Sequence, residues 1–217
     1  MHRLILAMIL LAGMPAGAFA ANDLAYGSAL SFVAVRNGQT IGHHSLTFRR
    51  DGAQLTVSTS IRLAVKFMGF IAYRYTHSAQ EVWTGDDFQS LAAETDDNGR
   101  KFSVRVRRGV SHLDVERNVR AETLRASLPI QLLPSSHWNV RQVRQQALVN
   151  TQEGTEARIR VSILGRETIA TAKARVEAMR YRYAGDIEMD QWFDDLGRWV
   201  KMSFAASDGS TVEYILQ

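Results

Sequence analysis

His77 and Glu81 stand four residues apart in the run Ile71-Ala72-Tyr73-Arg74-Tyr75-Thr76-His77-Ser78-Ala79-Gln80-Glu81-Val82-Trp83. An imidazole titrates near neutrality, and a carboxylate can orient it or exchange a proton with it. The pair therefore offers either proton transfer or a polar anchor for a ligand. The odd positions carry Tyr73, Tyr75, His77, Glu81 and Trp83, while the even ones carry Ala72, Arg74, Thr76, Ser78, Gln80 and Val82. Alternate residues of a strand share a face, so the imidazole and the carboxylate lie with the aromatic rings. An unpaired buried charge is costly, which leaves two readings open. One is a polar spot inside an aromatic-lined cavity. The other is a core histidine and a rim carboxylate, each satisfied by tyrosine hydroxyls or a neighbouring arginine. Four residues of strand separate the two by ~13 Å, so they do not share a metal ion.

Other chemistry is sparse. His43 and His44 are adjacent on a strand and face opposite sides. Asp96-Asp97-Asn98-Gly99 lacks the alternating oxygen ligands of a calcium loop and reads as a hairpin turn. There is no Gly-x-Ser-x-Gly elbow and no cysteine, and Ser135-Ser136-His137 reads as ordinary loop sequence. No catalytic residue, metal site or cofactor is expected. Phe67-Met68-Gly69-Phe70-Ile71 places an apolar connection where polar turn residues are usual. It either folds under the sheet or forms a lip at which an acyl chain or a partner docks. The candidate ligand-binding set is Tyr73, Tyr75, His77, Glu81 and Trp83, with Phe67, Met68 and Phe70 at the mouth.

The elements that must position these residues are strands. In Gln54–Lys66, Leu55, Val57, Thr59, Ile61, Leu63 and Val65 alternate strictly with polar or small residues, a period no helix face shows. Phe102/Val104/Val106 and Ile159/Val161/Ile163 repeat the pattern. Asn37-Gly38, Asp51-Gly52, Asn98-Gly99 and Asp208-Gly209 punctuate the runs with residues that tolerate the positive φ of tight hairpins. The fold class is thus all-β with minor α: an antiparallel meander forming a strongly curved sheet or half-open barrel. Pro129 and Pro134 mark the break in the sheet, and the segment 128–150 is expected to cross its open side. Asn139 caps a predicted short helix over Val140–Val149. Near the C-terminus, Asp194-Asp195-Leu196-Gly197 reads as a hairpin turn across which Trp192 and Trp199 would pack.

Composition limits the classes of partner. Met1-His2-Arg3, an apolar run from Leu4 to Gly13, and small Ala18 and Ala20 form a secretory signal peptide over residues 1–20. The run is too short to span a ~30 Å hydrocarbon core. Cleavage after Ala20 leaves 197 of the 217 residues as a single domain, 21–217, in the periplasm. Losing Arg3 leaves 25 basic against 22 acidic residues, a net charge of +3, and 22 of the 26 basic residues of the precursor are arginine. Two readings of this balance stay open for an exported protein. One is a mildly basic solvated surface with no charged partner; the other is contact with anionic lipid headgroups, lipopolysaccharide or cell-wall polymers. Nucleic acid is not expected.

Several segments together resemble an uncharacterised family of exported bacterial β-rich proteins. They are Gly38-Gln39-Thr40-Ile41-Gly42, Tyr73-Arg74-Tyr75-Thr76-His77, Asp97-Asn98-Gly99, Thr151-Gln152-Glu153-Gly154, Gly165-Arg166-Glu167, and the ending from Asp190-Gln191-Trp192-Phe193-Asp194 to Glu213-Tyr214-Ile215-Leu216. The second half is distantly similar in shape to the lipoprotein carriers LolA and LolB. That likeness implies a half-barrel with a hydrophobic cavity, and no catalytic residue carries over.

The resulting expectation is a non-catalytic periplasmic protein that binds an apolar or amphipathic, lipid-like molecule or an envelope partner, with peripheral membrane contact. Two alternatives stay open: a hydrolase or isomerase using His77 with a carboxylate, and an envelope scaffold acting by strand addition. N-terminal sequencing of the exported protein is expected to begin at Ala21; a soluble cytosolic product that retains Met1 contradicts the export reading.

Overall fold

Alternation of apolar and polar side chains builds nearly every element. The computed structural model describes residues 27–120 and 122–217, so the signal segment Met1–Ala20 lies outside the described residues. Eight strands come first: β1 (Ala29–Arg36), β2 (Gln39–Asp51), β3 (Gln54–Phe67), β4 (Phe70–Thr84), β5 (Asp87–Asp97), β6 (Arg100–Arg108), β7 (His112–Val119) and β8 (Glu122–Pro129). A crossing segment follows with β9 (Leu133–Pro134), a 3-10 helix (Val140–Arg144) and β10 (Ala147–Val149). Five more strands complete the chain: β11 (Glu156–Ala170), β12 (Arg175–Gly185), β13 (Met189–Asp194), β14 (Trp199–Ala205) and β15 (Thr211–Leu216). Asn37-Gly38, Met68-Gly69 and Asn98-Gly99 hold positive φ at both central positions, the geometry that matches hairpin twist.

All fifteen strands form one sheet, in the order β8-β7-β6-β5-β4-β3-β2-β1-β15-β14-β13-β12-β11-β10-β9. The terminal strands β1 and β15 pair with each other, from Phe32↔Leu216 to Arg36↔Val212. The ladder stays open between β8 and β9, which are the two edges yet follow one another in sequence. A flat sheet of this size would be roughly 65 Å wide at ~4.8 Å per strand. The link Ile130-Gln131-Leu132 bridges at most ~14 Å. The sheet must therefore roll until its edges nearly meet, which is the predicted half-open barrel. Gly42 permits a bulge in that roll: a Cβ there would lie 1.9 Å from the Arg62 carbonyl oxygen.

The crossing segment enters the rolled sheet and fills much of it. Leu132, Leu133, Trp138, Leu148 and Val149 join Phe32, Leu46, Val57, Trp83, Leu91 and Val106 in one core. Trp138 lies edge-on to Phe48 at 5.6 Å and to Trp83 at 5.5 Å. Glu81 Oε2 accepts from both indoles, Trp83 Nε1 at 2.9 Å and Trp138 Nε1 at 3.2 Å. This buried carboxylate thereby ties β4 to the crossing segment. Gly154 brings the next loop against β6 and β7, where a Cβ would sit 3.1–3.3 Å from Val104, Val115 and Arg117 side chains.

Two expectations need correction. The helix predicted over Val140–Val149 is a 3-10 helix over Val140–Arg144 only, although Asn139 caps it, accepting from Arg141 N at 3.1 Å. Ala147, Leu148 and Val149 are buried consecutively, as a strand covered on both faces requires. They pair antiparallel with β11 and parallel with β9, so the sheet is not wholly antiparallel. The second correction concerns Trp192 and Trp199, which do not pack across their hairpin. A bulge after Trp192 sets Phe193 opposite Trp199 and Trp192 opposite Lys201. Trp199 thus enters the main core, whereas Trp192 joins Ile169, Ala178 and Val200 in a separate cluster.

Replacing Glu81 by leucine strands two buried indole N–H groups, each worth ~1–3 kcal/mol. Denaturant midpoints are expected to report a loss of about 2–4 kcal/mol for Glu81→Leu and a smaller loss for Glu81→Gln, which keeps an acceptor. A neutral or stabilising Glu81→Leu would mean that the carboxylate is only a desolvation cost.

Candidate functional site

Strand register assembles the candidate site. His44 of β2 lies opposite Ile61 of β3, Ile61 opposite His77 of β4, and His77 opposite Thr95 of β5. The next inner row carries Leu46, Thr59 and Ala79. The crossing segment faces these rows with Ser135, Ser136 and His137, and the loop after β10 adds Asn150, Thr151 and Gln152. Together they line a half-open cavity of ≈ 170 Å³.

Polar contacts fix part of the lining. His77 Nδ1 and the Thr95 hydroxyl share a hydrogen bond at 2.8 Å. Tyr75 donates its hydroxyl to Gln152 Oε1 at 3.0 Å, and Thr151 N donates to Ser135 Oγ at 3.2 Å. Gln191 Nε2 donates to His137 Nδ1 at 2.8 Å. His137 holds φ +72°, a left-handed conformation unusual for a side chain of this size. The His44 ring stands edge-on to Trp199 at 5.2 Å and to Tyr214 at 5.5 Å, and 6.2 Å from the His137 ring.

Four buried atoms of this lining have no hydrogen-bonding partner among the described residues: both ring nitrogens of His44, Thr59 Oγ1 and Ser136 Oγ. Ser136 lies near enough to Glu81 to favour its charged form, without hydrogen-bond geometry between the two hydroxyl and carboxylate oxygens. Burial disfavours charge on all three imidazoles. It lowers His77 and His137 to about 4 and takes His44 well below its ordinary value, and the histidines repel one another's charge. At neutral pH the lining is therefore uncharged. Burial also raises the Tyr75 phenol, which keeps its proton.

The structure distributes the sequence-derived candidates unevenly. Tyr75 and His77 line the cavity. Tyr73 is further towards the β3–β4 turn and donates to Asp97 Oδ1 at 2.7 Å. Glu81 and Trp83 are not in the lining; they form the clamp with Trp138. Met68 and Phe70 are exposed at the hairpin tip, and the Phe67 side chain lies outside the described part. The partners of His77 and Glu81 are a threonine and two indoles, not the expected tyrosines or arginine. Among the described residues no carboxylate hydrogen-bonds His77 and no three metal-ligating side chains converge. Sequence reasoning missed His44, Thr59, Ser135, Ser136, His137 and Thr151. Alternation with Leu46 and Phe48 already put His44 on the inner face, but the loop residues carried no comparable signal.

The lowered imidazoles give stability a pH dependence. Between about 4 and the ordinary value of 6.5, the unfolded chain binds protons that the folded chain excludes. Stability is full above about 6.5 and falls as the pH drops towards 4. Glu81 opposes this, because its raised pKa favours the folded state on acidification, but it is one group against three. The urea midpoint is expected to be lower at pH 5 than at pH 7, and His77→Asn should flatten the slope. A midpoint unchanged over this range contradicts the neutral cluster.

Comparison with known proteins agrees with the fold. A crystal structure of a beta-barrel-like protein of domain of unknown function DUF1849, from Brucella abortus, is similar to this chain with a TM-score of 0.60 and 10% identity. The match covers 88% of this chain and 94% of the other. That likeness is one of fold. No curated protein matches the chain. Residues 32–217 match the family described as Domain of unknown function (DUF6134), and the chain belongs to that family.

Proposed function

We propose that the protein is a non-catalytic, exported binding protein for an amphipathic molecule whose head is polar and uncharged. The observation that carries this reading is the group of four unpartnered buried polar atoms around one ≈ 170 Å³ cavity. Each such atom costs ~1–3 kcal/mol unless something hydrogen-bonds it, and a ligand with both donors and acceptors would recover that cost. The left-handed His137 adds local strain at the same place, as is common at binding sites.

The size and charge of the cavity define the ligand class. Its volume holds roughly five or six water-sized groups and is below the usual range for whole ligands. A headgroup fits and an acyl chain does not. From His77, the inner face of β4 continues through Tyr75 to Tyr73, roughly 13 Å away, beyond which a bulge at Ala72 sets Ile71 opposite Lys66. An apolar tail would lie along that path. Neutral imidazoles and hydroxyls complement hydroxyl or amide groups better than ions. The sequence of Met1–Ala20 supports export to the periplasm, and the barrel-like fold is compatible with the carrier role implied by the LolA and LolB likeness.

The hydrolase alternative needs a carboxylate beside His77, where Thr95 stands. The scaffold alternative retains one observation: β8 is a free sheet edge, exposed along most of its length. Glu122, Arg125 and Pro129 on that strand discourage edge pairing.

His44→Phe keeps the ring and removes both unpartnered nitrogens. It is expected to leave the denaturant midpoint equal or higher while weakening a glyceryl-headed amphiphile about tenfold in calorimetry. Carboxylate- and ammonium-headed analogues of the same chain length should bind less tightly than the glyceryl compound. Equal binding by wild type and His44→Phe, or no binding of any amphiphile, refutes the reading.

A further inference from the structure

The β3–β4 hairpin is longer than the sheet requires. β2 pairs with β3 only as far as Gly42↔Leu63, and β5 pairs with β4 only as far as Tyr75↔Asp97. One further bond, Asn98 N to the Arg74 carbonyl at 2.8 Å, closes that side. From Ala64↔Arg74 to Phe67↔Phe70 the two strands pair only with each other. The result is a two-stranded arm whose last four residue pairs, roughly 13 Å of hairpin, have no ladder partner on either side among the described residues.

The tip of the arm is apolar and open to solvent. Met68 is 82% exposed, Phe70 77% and Ile71 48%. Met68 holds φ +50° at the turn position that Asn37 and Asn98 occupy in the two sibling hairpins. Asparagine suits that conformation and methionine does not, so the turn keeps an apolar side chain at a conformational cost.

The charges around the tip have one sign. Asp51 and Glu81 bracket a stretch, residues 52–80, that contains Arg62, Lys66 and Arg74 and no acidic residue. The three cations are exposed and form no ion pair among the described residues. The nearest acid in register is Asp97, opposite Tyr75. Its Oδ1 accepts from the Tyr73 hydroxyl at 2.7 Å and its Oδ2 pairs with Arg100. Asp96, opposite Thr76, accepts from Gly99 N at 2.7 Å.

We infer that this arm docks the protein on an anionic lipid surface, with Met68, Phe70 and Ile71 entering the interface and Lys66, Arg74 and Arg62 on the headgroups. A narrow tip with three apolar side chains is too small for a stable protein interface, which buries ~1,200–2,000 Å². Interfacial insertion needs only a few apolar side chains supplemented by basic ones. The acid-free run is complementary to anionic headgroups, whereas a zwitterionic surface offers no net attraction. The inference does not rest on the ligand reading, because docking needs nothing in the cavity.

Vesicle co-sedimentation tests it. The protein is expected to pellet with phosphatidylcholine vesicles containing about 30% phosphatidylglycerol and to stay in solution with pure phosphatidylcholine. It should be released at ~1 M salt, where screening acts within ~3 Å. Met68→Asn with Phe70→Ser, and separately Lys66→Glu with Arg74→Glu, should each weaken binding at least tenfold. Both pairs lie on the exposed arm, so circular dichroism and the thermal midpoint should be retained, and Met68→Asn should fold at least as stably as wild type. Phe70→Trp should show a blue-shifted emission on anionic vesicles. Wild type left in the supernatant, equal pelleting on pure phosphatidylcholine, or undiminished binding by the Met68→Asn, Phe70→Ser pair would each overturn the inference.

Discussion

Three residues set the global shape. Ile130-Gln131-Leu132 must carry the chain from β8 at one edge of the sheet to β9 at the other. Twist alone inclines a sheet of this many strands to curl, but it does not say how far. The short link does, because the two edges must approach within its reach. Once rolled, the sheet has an inside that needs filling. The next residues along the chain, from Leu132 to Val149, are the ones that enter it. The link also explains why the barrel does not close: β9 has only two residues and pairs on its other side with β10, leaving β8 without a ladder partner.

Filling a β-roll with a chain segment brings backbone and polar side chains into a dry interior, and the protein handles these groups in two ways. Around Glu81 two indole N–H groups converge on one carboxylate oxygen, Oε2, while Oε1 is buried without a partner among the described residues. That arrangement ties β4 to the crossing segment. Around His44, ring nitrogens and hydroxyls are buried without partners beside a cavity. The two sites share strand β4, which places His77 and Glu81 on the same face. They differ in what lies next to the buried polar atoms: interlocked indoles at Glu81, a cavity at His44.

Distance along the chain explains what the sequence could reveal. Period-two alternation is local and strong, so β3, β4, β6 and β11 and the inward face of His77, Glu81 and Trp83 are legible residue by residue. The curl followed from strand number and its seam from two prolines. What escaped depended on partners distant in sequence. Ala147–Val149 looked helical because the spacing of Val140, Val143, Ala147 and Leu148 was consistent with one helix face; the free edge of β11 drew the end of the segment into a strand instead. Trp192 and Trp199 were separated by a bulge that no local pattern announces. His137 reached the cavity through a left-handed loop residue and a bond to Gln191, 54 positions away.

Meander geometry gives the two ends of the roll different characters. Alternate turns fall on the same end, so Asn37-Gly38, Met68-Gly69 and Asn98-Gly99 stand together, opposite Asp51-Gly52, Gly85-Asp86 and Gly109. The second end is sealed by the crossing segment: Arg141 Nη1 donates to the Asp86 carbonyl at 2.6 Å, and Arg108 Nη1 to the Ile130 carbonyl at 3.3 Å. At the first end the loop after β10 touches the wall through Tyr75 with Gln152 and Arg117 with the Glu153 carbonyl. The cavity lies just inside these contacts, and the apolar arm projects beyond them. One strand pair, β3 and β4, supplies His77 below and the exposed tip above. Its strands are among the longest in the sheet, and the length beyond Leu63 and Tyr75 adds nothing to the core. A hairpin whose ladder outruns the pairing of its neighbours, kept apolar at a turn that favours asparagine, and free of acids from Gly52 to Gln80 is shaped by what lies outside the barrel.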